Sequence, residues 1–215
     1  MDERMIKHLD LVIEANKVTN LTRITSYEEA KILHIEDSLS GLPEMNAAPE
    51  GKYGDMGTGA GFPGIPLAIE TGRQTVLMDS VGKKTVLLDS FIKELGLSDM
   101  VSTYNGRIED LARIEGKTYA VLTARALSKL GSLMELACPL LKMGGHLICY
   151  KARIEEEELL HAVSLEKKLG MKIISDRQFN LSDCETLRRI VVFEKFAKPK
   201  IMLPRKVGDA QKRPL

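Results

Sequence analysis

From residue 51 onward the chain alternates strand-like apolar runs with helix-like amphipathic runs, and that rhythm decides what it can become. Strand signals fall at 52–56, 74–79, 100–104, 118–123, 145–151, 171–178 and 189–195. Helix signals fall at 63–71, 83–96, 128–142 and 155–169. The second of these has Val86, Leu87, Phe91 and Leu95 as its inner face and Gly96 as a left-handed cap. Such alternation predicts a parallel sheet with helices on both faces. The connection 179–188 is polar and too short for a crossover helix, so the last strand is expected to pair antiparallel. Ahead of this core, Met5, Ile6, Leu9, Ile13 and Val18 mark a helix over 5–18. Ser26 and Glu29 have the form of a capping box opening a second helix to about Leu42, and Pro43 and Pro49 interrupt the chain beyond it. The reading is one domain in three parts: a helical cap (1–50), an α/β core (51–195) and a tail (196–215) lying on the surface.

Several function classes drop out early. No apolar run is long enough to span a bilayer and the N-terminus lacks a signal peptide's apolar core, which predicts a cytoplasmic chain. Cys138, Cys149 and Cys184 are scattered with no CxxC, as free thiols in a reducing compartment are, and His8, His34, His146 and His161 form no metal-binding spacing. No metal is expected. The net charge is only +1, but Lys195, Lys198, Lys200, Arg205, Lys206, Lys212 and Arg213 face a single acid, Asp209, in the tail. A basic tail on a neutral domain suits contact with a phosphate backbone.

The first strand runs into "YGDMGTGAGFPGIPLAIE", residues 53–70. In a parallel sheet, ligands bind beyond the carboxyl ends of the strands, so this loop sits at the binding edge. As Gly59-x-Gly61-x-x-Gly64, with Asp79 twenty residues after Gly59, it resembles a dinucleotide fingerprint. Two features oppose a pyrophosphate. Asp55 stands directly before the glycines, and Pro63 and Pro66 remove N–H donors from the first turn of the next helix. S-adenosylmethionine suits the stretch better. Asp55 would face its ammonium, Gly57, Gly59 and Gly61 would let the backbone pass close, and Asp79 would accept from the ribose hydroxyls.

Together with "LMDSVGKK", "GRIEDL", "TARALSKL" and "YKAR", this loop resembles the 16S ribosomal RNA guanine-N7 methyltransferases once called glucose-inhibited division protein B. "NLTRI" and "HIEDSL" upstream, and "LRRIVVFEK" and "LPRKVGDAQKRPL" downstream, extend the likeness from about residue 10 to the end. The resemblance implies a class I, Rossmann-like methyltransferase fold with a seven-stranded, mostly parallel sheet, an antiparallel last strand and a small N-terminal helical cap. It implies S-adenosylmethionine as cofactor, at Gly57, Phe62, Ile108, Glu109 and Arg125. It implies 16S rRNA, or the small ribosomal subunit or its assembly intermediate, as partner. Gly54 departs from the family, where an aliphatic residue is usual in the first strand.

Guanine N7 carries a lone pair and no proton, so its methylation needs positioning rather than a general base. Consistent with that, the chain has no Pro-Pro pair and hence no motif of the exocyclic-amine methyltransferases. Arg125 is the candidate for holding guanine O6 or a phosphate. Lys151, Arg188, Arg205 and Lys206 are candidate contacts to substrate RNA. His34, Asp37 and Asn20 read as a polar network bracing the N-terminal helices, and Lys83 and Lys84 as solvated charges. Two other classes fit weaker readings of the same residues: an NAD-dependent oxidoreductase, and a non-catalytic rRNA-binding assembly factor that keeps the fold.

Overall fold

The computed structural model describes residues 2–19, 21–22, 24, 26–183 and 185–215; Asn20 and Cys184 therefore lie outside the described residues. The N-terminal part comprises α1 (Glu3–Asn16), α2 (Tyr27–Ala30), a π-helical turn (Lys31–Glu36), α3 (Asp37–Leu39) and α4 (Leu42–Ala47). The core is built from β1 (Tyr53–Met56), α5 (Gly64–Thr71), β2 (Thr75–Asp79), α6 (Gly82–Glu94), β3 (Val101–Asn105), α7 (Ile108–Glu115) and β4 (Tyr119–Arg125). It continues as α8 (Leu130–Ala137), β5 (Leu141–Lys151), α9 (Glu156–Leu169), β6 (Met171–Asn180) and β7 (Leu187–Lys195), and α10 (Asp209–Lys212) closes the chain.

The strands form one seven-stranded sheet in the order β3-β2-β1-β4-β5-β7-β6. β7 runs antiparallel to both β5 and β6, and the other pairs are parallel. Parallel strands covered on both faces read as continuous apolar runs, which is why β2 and β4 are visible in the sequence. Successive side chains point to opposite faces. Val76 and Met78 therefore join the cluster under α7, α8 and α9, with Leu122, Leu133 and Phe193. Leu77 between them joins the cluster with Met5 and Leu9 of α1, Ile65 of α5 and Leu88 and Phe91 of α6. Strand order reverses between β1 and β4, which puts the ligand crevice beyond the ends of those two strands. No described helix is long and apolar enough to cross a membrane.

Local differences from the sequence reading have physical causes. The expected second helix is present over 27–39 as one unbroken helical stretch, but a π turn at its centre divides it into α2 and α3, and Ser26 stands at the N-cap position without a side-chain capping bond. Pro43 opens α4 rather than breaking the chain, because an N–H is dispensable in a first turn. The buried face of α6 is Thr85, Leu88, Phe91 and Ile92, whereas Val86 is exposed. α7 is an element the sequence reading lacks, although Ile108, Leu111 and Ala112 have helical spacing. α8 ends at Ala137, and β5 begins at Leu141 across a register shift in β4. A Cβ on Gly54 would stand 2.5 Å from Met78 Cε and 2.8 Å from Leu122 Cδ2, so this strand glycine admits the side chains of both neighbours.

Candidate active site

The loop between β1 and α5 is shaped by backbone that only glycine takes easily. Gly57, Gly59 and Gly61 have φ of 69°, 61° and 92°. They differ in what lies beside them. A Cβ on Gly61 would meet Ile65 Cδ1 at 2.8 Å and His8 Nε2 at 3.0 Å, and one on Gly57 would meet Leu127 Cδ1 at 2.7 Å. A Cβ on Gly59 would have only Gly57 O, at 4.0 Å, so its empty side is open. Gly61 is thus a packing glycine, which corrects its expected place against the cofactor.

Asp55 also differs from expectation. It is fully buried beneath the loop, where its carboxylate accepts the Gly64 N–H at 3.0 Å and the Thr123 hydroxyl at 2.7 Å. Burial pushes its carboxyl above the usual range, against the pull of Thr123. It lines none of the three cavities of the crevice, and its two bonds clamp the loop onto β4 instead of offering the carboxylate to an ammonium. The same bond consumes a donor of α5. Gly64 N–H goes to Asp55, Ile65 N–H goes to Gly61 O, Leu67 N–H goes to Pro63 O, and Pro66 has none. A pyrophosphate would find no donor at this helix start, which removes the dinucleotide reading.

Three cavities line the crevice. The first, about 240 Å³, is lined by Gly57, Asp79, Ile108, Glu109, Lys84 and Gln211, among others. Asp79 accepts Gly59 N–H at 3.1 Å and Val81 N–H at 2.9 Å, one on each oxygen, and each oxygen keeps a further lone pair. Glu109 lines this cavity too, but its Oε1 is engaged by Gly208 N–H at 2.7 Å. That bond docks the C-terminal segment, which lies on the surface as expected but is anchored there. Arg205 forms a bidentate pair with the buried Glu135, both bonds 2.7 Å, and Ser132 Oγ donates to Ala210 O. Arg205 is therefore a structural cation, correcting its expected role toward RNA. Lys206 is exposed and lines none of these cavities.

The second cavity, about 240 Å³, is lined by Gly57, Gly59, Phe62, His34, Lys84 and Arg125. Lys84 lines both cavities. Phe62 lies between two imidazoles, 4.6 Å from His34 in a near-parallel stack and 4.3 Å from His8. Burial holds His34 at a pKa of about 4, helped by Arg125, and His8 at about 3. Both rings are thus neutral at ordinary pH.

The third cavity, about 400 Å³, is walled by Arg125, Arg188, Lys151, Arg153, His34 and Asp37. Asp37 organises it. Its Oδ2 accepts from Arg125 at 2.9 Å and its Oδ1 from Arg188 at 2.9 Å, and Arg125 also donates to Leu33 O at 3.1 Å. Lys151 is paired with Glu158 at 2.7 Å. The sequence presents Asp37 and His34 only as braces of the N-terminal helices; the structure adds that they line this cavity. Ala126 lines all three cavities and holds a left-handed φ of 54°, rare for a residue with a Cβ, at the tip of β4. No sequence signal marks such a residue. Among the described residues no cluster of His, Cys, Asp and Glu suits a metal.

The donor set fits S-adenosylmethionine. Asp79 offers a carboxylate to a ribose, Ile108 an apolar flank, and Gly59 an open backbone edge. A sequence model of the GidB family, described as rRNA small subunit methyltransferase G, matches residues 1–184. The ribosomal RNA small subunit methyltransferase G of Desulfitobacterium hafniense is 38% identical, over 99% of this chain and 89% of its own length. That of Alkaliphilus metalliredigens is 34% identical, over 99% and 90%. Among solved structures, an O-methyltransferase from Bacillus cereus in complex with SAH superposes with a TM-score of 0.62 at 18% identity, covering 88% of this chain and 91% of its own. A geranyl diphosphate methyltransferase in complex with SAM gives 0.57 at 11%, over 74% and 85%. At such identities the structural likeness concerns the fold.

Proposed function

The chain belongs to the GidB family, rRNA small subunit methyltransferase G, and on that premise we propose that it methylates N7 of one guanine in 16S rRNA. It is an S-adenosylmethionine-dependent rRNA methyltransferase; the target atom and the roles of individual residues are the proposal. When bound, the cofactor supplies an electrophilic methyl group. Asp79 accepts from the ribose hydroxyls, Ile108 flanks the adenine, and Gly57 and Gly59 back the chain between them. The guanine enters the 400 Å³ cavity, and the observation that carries this is its shared wall with the glycine-loop cavity at His34, Arg125 and Ala126.

Arg125 is the positioning group. Among the described residues its hydrogen bonds run through Nη1 alone, so its other N–H groups remain to meet guanine O6 or a phosphate. Arg188 and Lys151 on the same wall are suited to the flanking phosphates. The nearby carboxylates are engaged, Asp37 by two arginines and Asp55 by the loop, which suits a nucleophile that needs no base. The substrate is 16S rRNA, as the RNA itself or within the small subunit or its assembly intermediate.

The test is deletion of the gene followed by mass spectrometry of 16S rRNA nucleosides. One 7-methylguanosine should disappear, return with the wild-type gene, and stay absent with Arg125→Ala. Its persistence in the deletion strain would sink the assignment.

A further inference from the structure

We infer that Gln211 is a cofactor-recognition residue whose carboxamide reads the adenine edge of S-adenosylmethionine. The inference rests on the methyltransferase reading and adds a recognition element from the far end of the chain. Gln211 lines the cavity of Asp79, Ile108 and Glu109, and it does not line the one beside Gly59 and Phe62. It therefore belongs to the adenosine half of the crevice. Asp79 is suited to the ribose there, which leaves the base for the side chains opposite.

The backbone leading into Gln211 is anchored at two points. Gly208 N–H donates to Glu109 Oε1 at 2.7 Å, and Ala210 O accepts from Ser132 Oγ at 2.5 Å. Its own Nε2 lies 3.5 Å from Leu127 O, a long contact at the cavity's edge. Arg205 fixes the start of the segment on Glu135. A loose terminus would lose entropy on meeting a ligand, whereas a docked one has already done so.

The chemistry of the base selects this side chain. Adenine presents an amino donor beside a ring-nitrogen acceptor. A carboxamide supplies one acceptor and two donors in a plane, whereas Glu109 when ionised only accepts and has one oxygen engaged. Gln211 is exposed in the chain as it stands, so replacing it removes no packing.

The experiment is calorimetric titration of the full chain with S-adenosylhomocysteine and with its analogue lacking the 6-amino group. Gln211→Ala should weaken S-adenosylhomocysteine about five- to tenfold, the value of one or two net hydrogen bonds, and leave the analogue within about twofold. Gln211→Glu, which keeps an acceptor for the amine, should retain part of the preference. Equal weakening of both ligands, or of neither, overturns the assignment. Failure of the wild-type chain to bind S-adenosylhomocysteine at all overturns the methyltransferase reading, so the two failures are distinct.

Discussion

Two side chains near Phe62 and one carboxylate set the properties of the site at the residue scale. Asp37 is nearly inaccessible and holds two guanidiniums that face the third cavity. Asp37→Ala leaves both arginines in place but free to rotate, and small misplacements of positioning groups cost about 10²-fold in rate. The expected result is a fall of that order in single-turnover methyl transfer, with S-adenosylhomocysteine affinity unchanged; an unchanged rate would remove Asp37 from the mechanism. His8 and His34 give a pH prediction. Their folded pKa values, about 3 and about 4, lie below the ordinary 6.5. Both are neutral when folded and protonate on unfolding, so the unfolded chain binds more protons below 6.5. Stability is full above pH 6.5 and is lost as pH falls toward 4, by about 1.4 kcal/mol per pH unit for each ring. Urea midpoints between pH 7 and 5 should show this slope, and His8→Gln should reduce it; a slope untouched by that substitution would contradict the assignment.

The loop between β1 and α5 separates two uses of glycine at the element scale. A Cβ on Gly64 would stand 2.3 Å from Leu77 Cδ2 and 2.8 Å from Asp55 Oδ2. Gly64→Ala is expected to cost about 1–3 kcal/mol of stability by overpacking, read as a lower denaturant midpoint. Gly59→Ala has room but a left-handed φ, worth about 1–2 kcal/mol, and puts a methyl where the crevice is open. It should fold and bind S-adenosylhomocysteine at least about tenfold more weakly; unimpaired binding would mean that the cofactor does not back onto Gly59. What the amino acids disclose obeys the same division. The central strands β2 and β4 are legible because burial on both faces leaves nearly unbroken apolar runs, and Gly96 is legible because a left-handed cap has few alternatives. The π turn is not, since its inserted residue has no compositional mark. α6 reads out of phase because Val86 is apolar yet faces solvent. Gly57, Phe62, Ile108 and Arg125 come from family likeness and Asp79 from spacing, and all line the crevice. Asp55 misleads because position before a glycine loop says nothing about which way a carboxylate turns. Asp37 reads only as a brace, and its hold on the cavity's arginines escapes because they lie 88 and 151 residues away.

Charge at the scale of the whole molecule shows why counting cations in a terminal segment misleads. The chain is nearly neutral at +1, and the basic residues from Lys195 onward look like an arm for a phosphate backbone. Folding divides them. Lys195 is 3% exposed and donates to Cys138 O and Leu141 O, and Arg205 is paired to a carboxylate whose side chain is 5% exposed. Lys206, the next residue, is exposed. Neighbours in sequence should therefore fail in opposite ways. Arg205→Ala strands Glu135 as a buried charge and unfastens the segment carrying Gly208 and Gln211, at about 3 kcal/mol by the usual cost of breaking a buried pair from one side. It should lower the denaturant midpoint and weaken S-adenosylhomocysteine, while the salt dependence of rRNA binding stays as in the wild type. Lys206→Ala should leave stability and cofactor affinity unchanged, and if this cation meets a phosphate it should reduce the slope of log K against log salt by about 0.7–0.9. Each variant thus controls for the other. A stable Arg205→Ala protein with a shallower salt slope would restore the picture of a free basic arm, and with it would fall the claim that the C-terminus is a wall of the cofactor crevice.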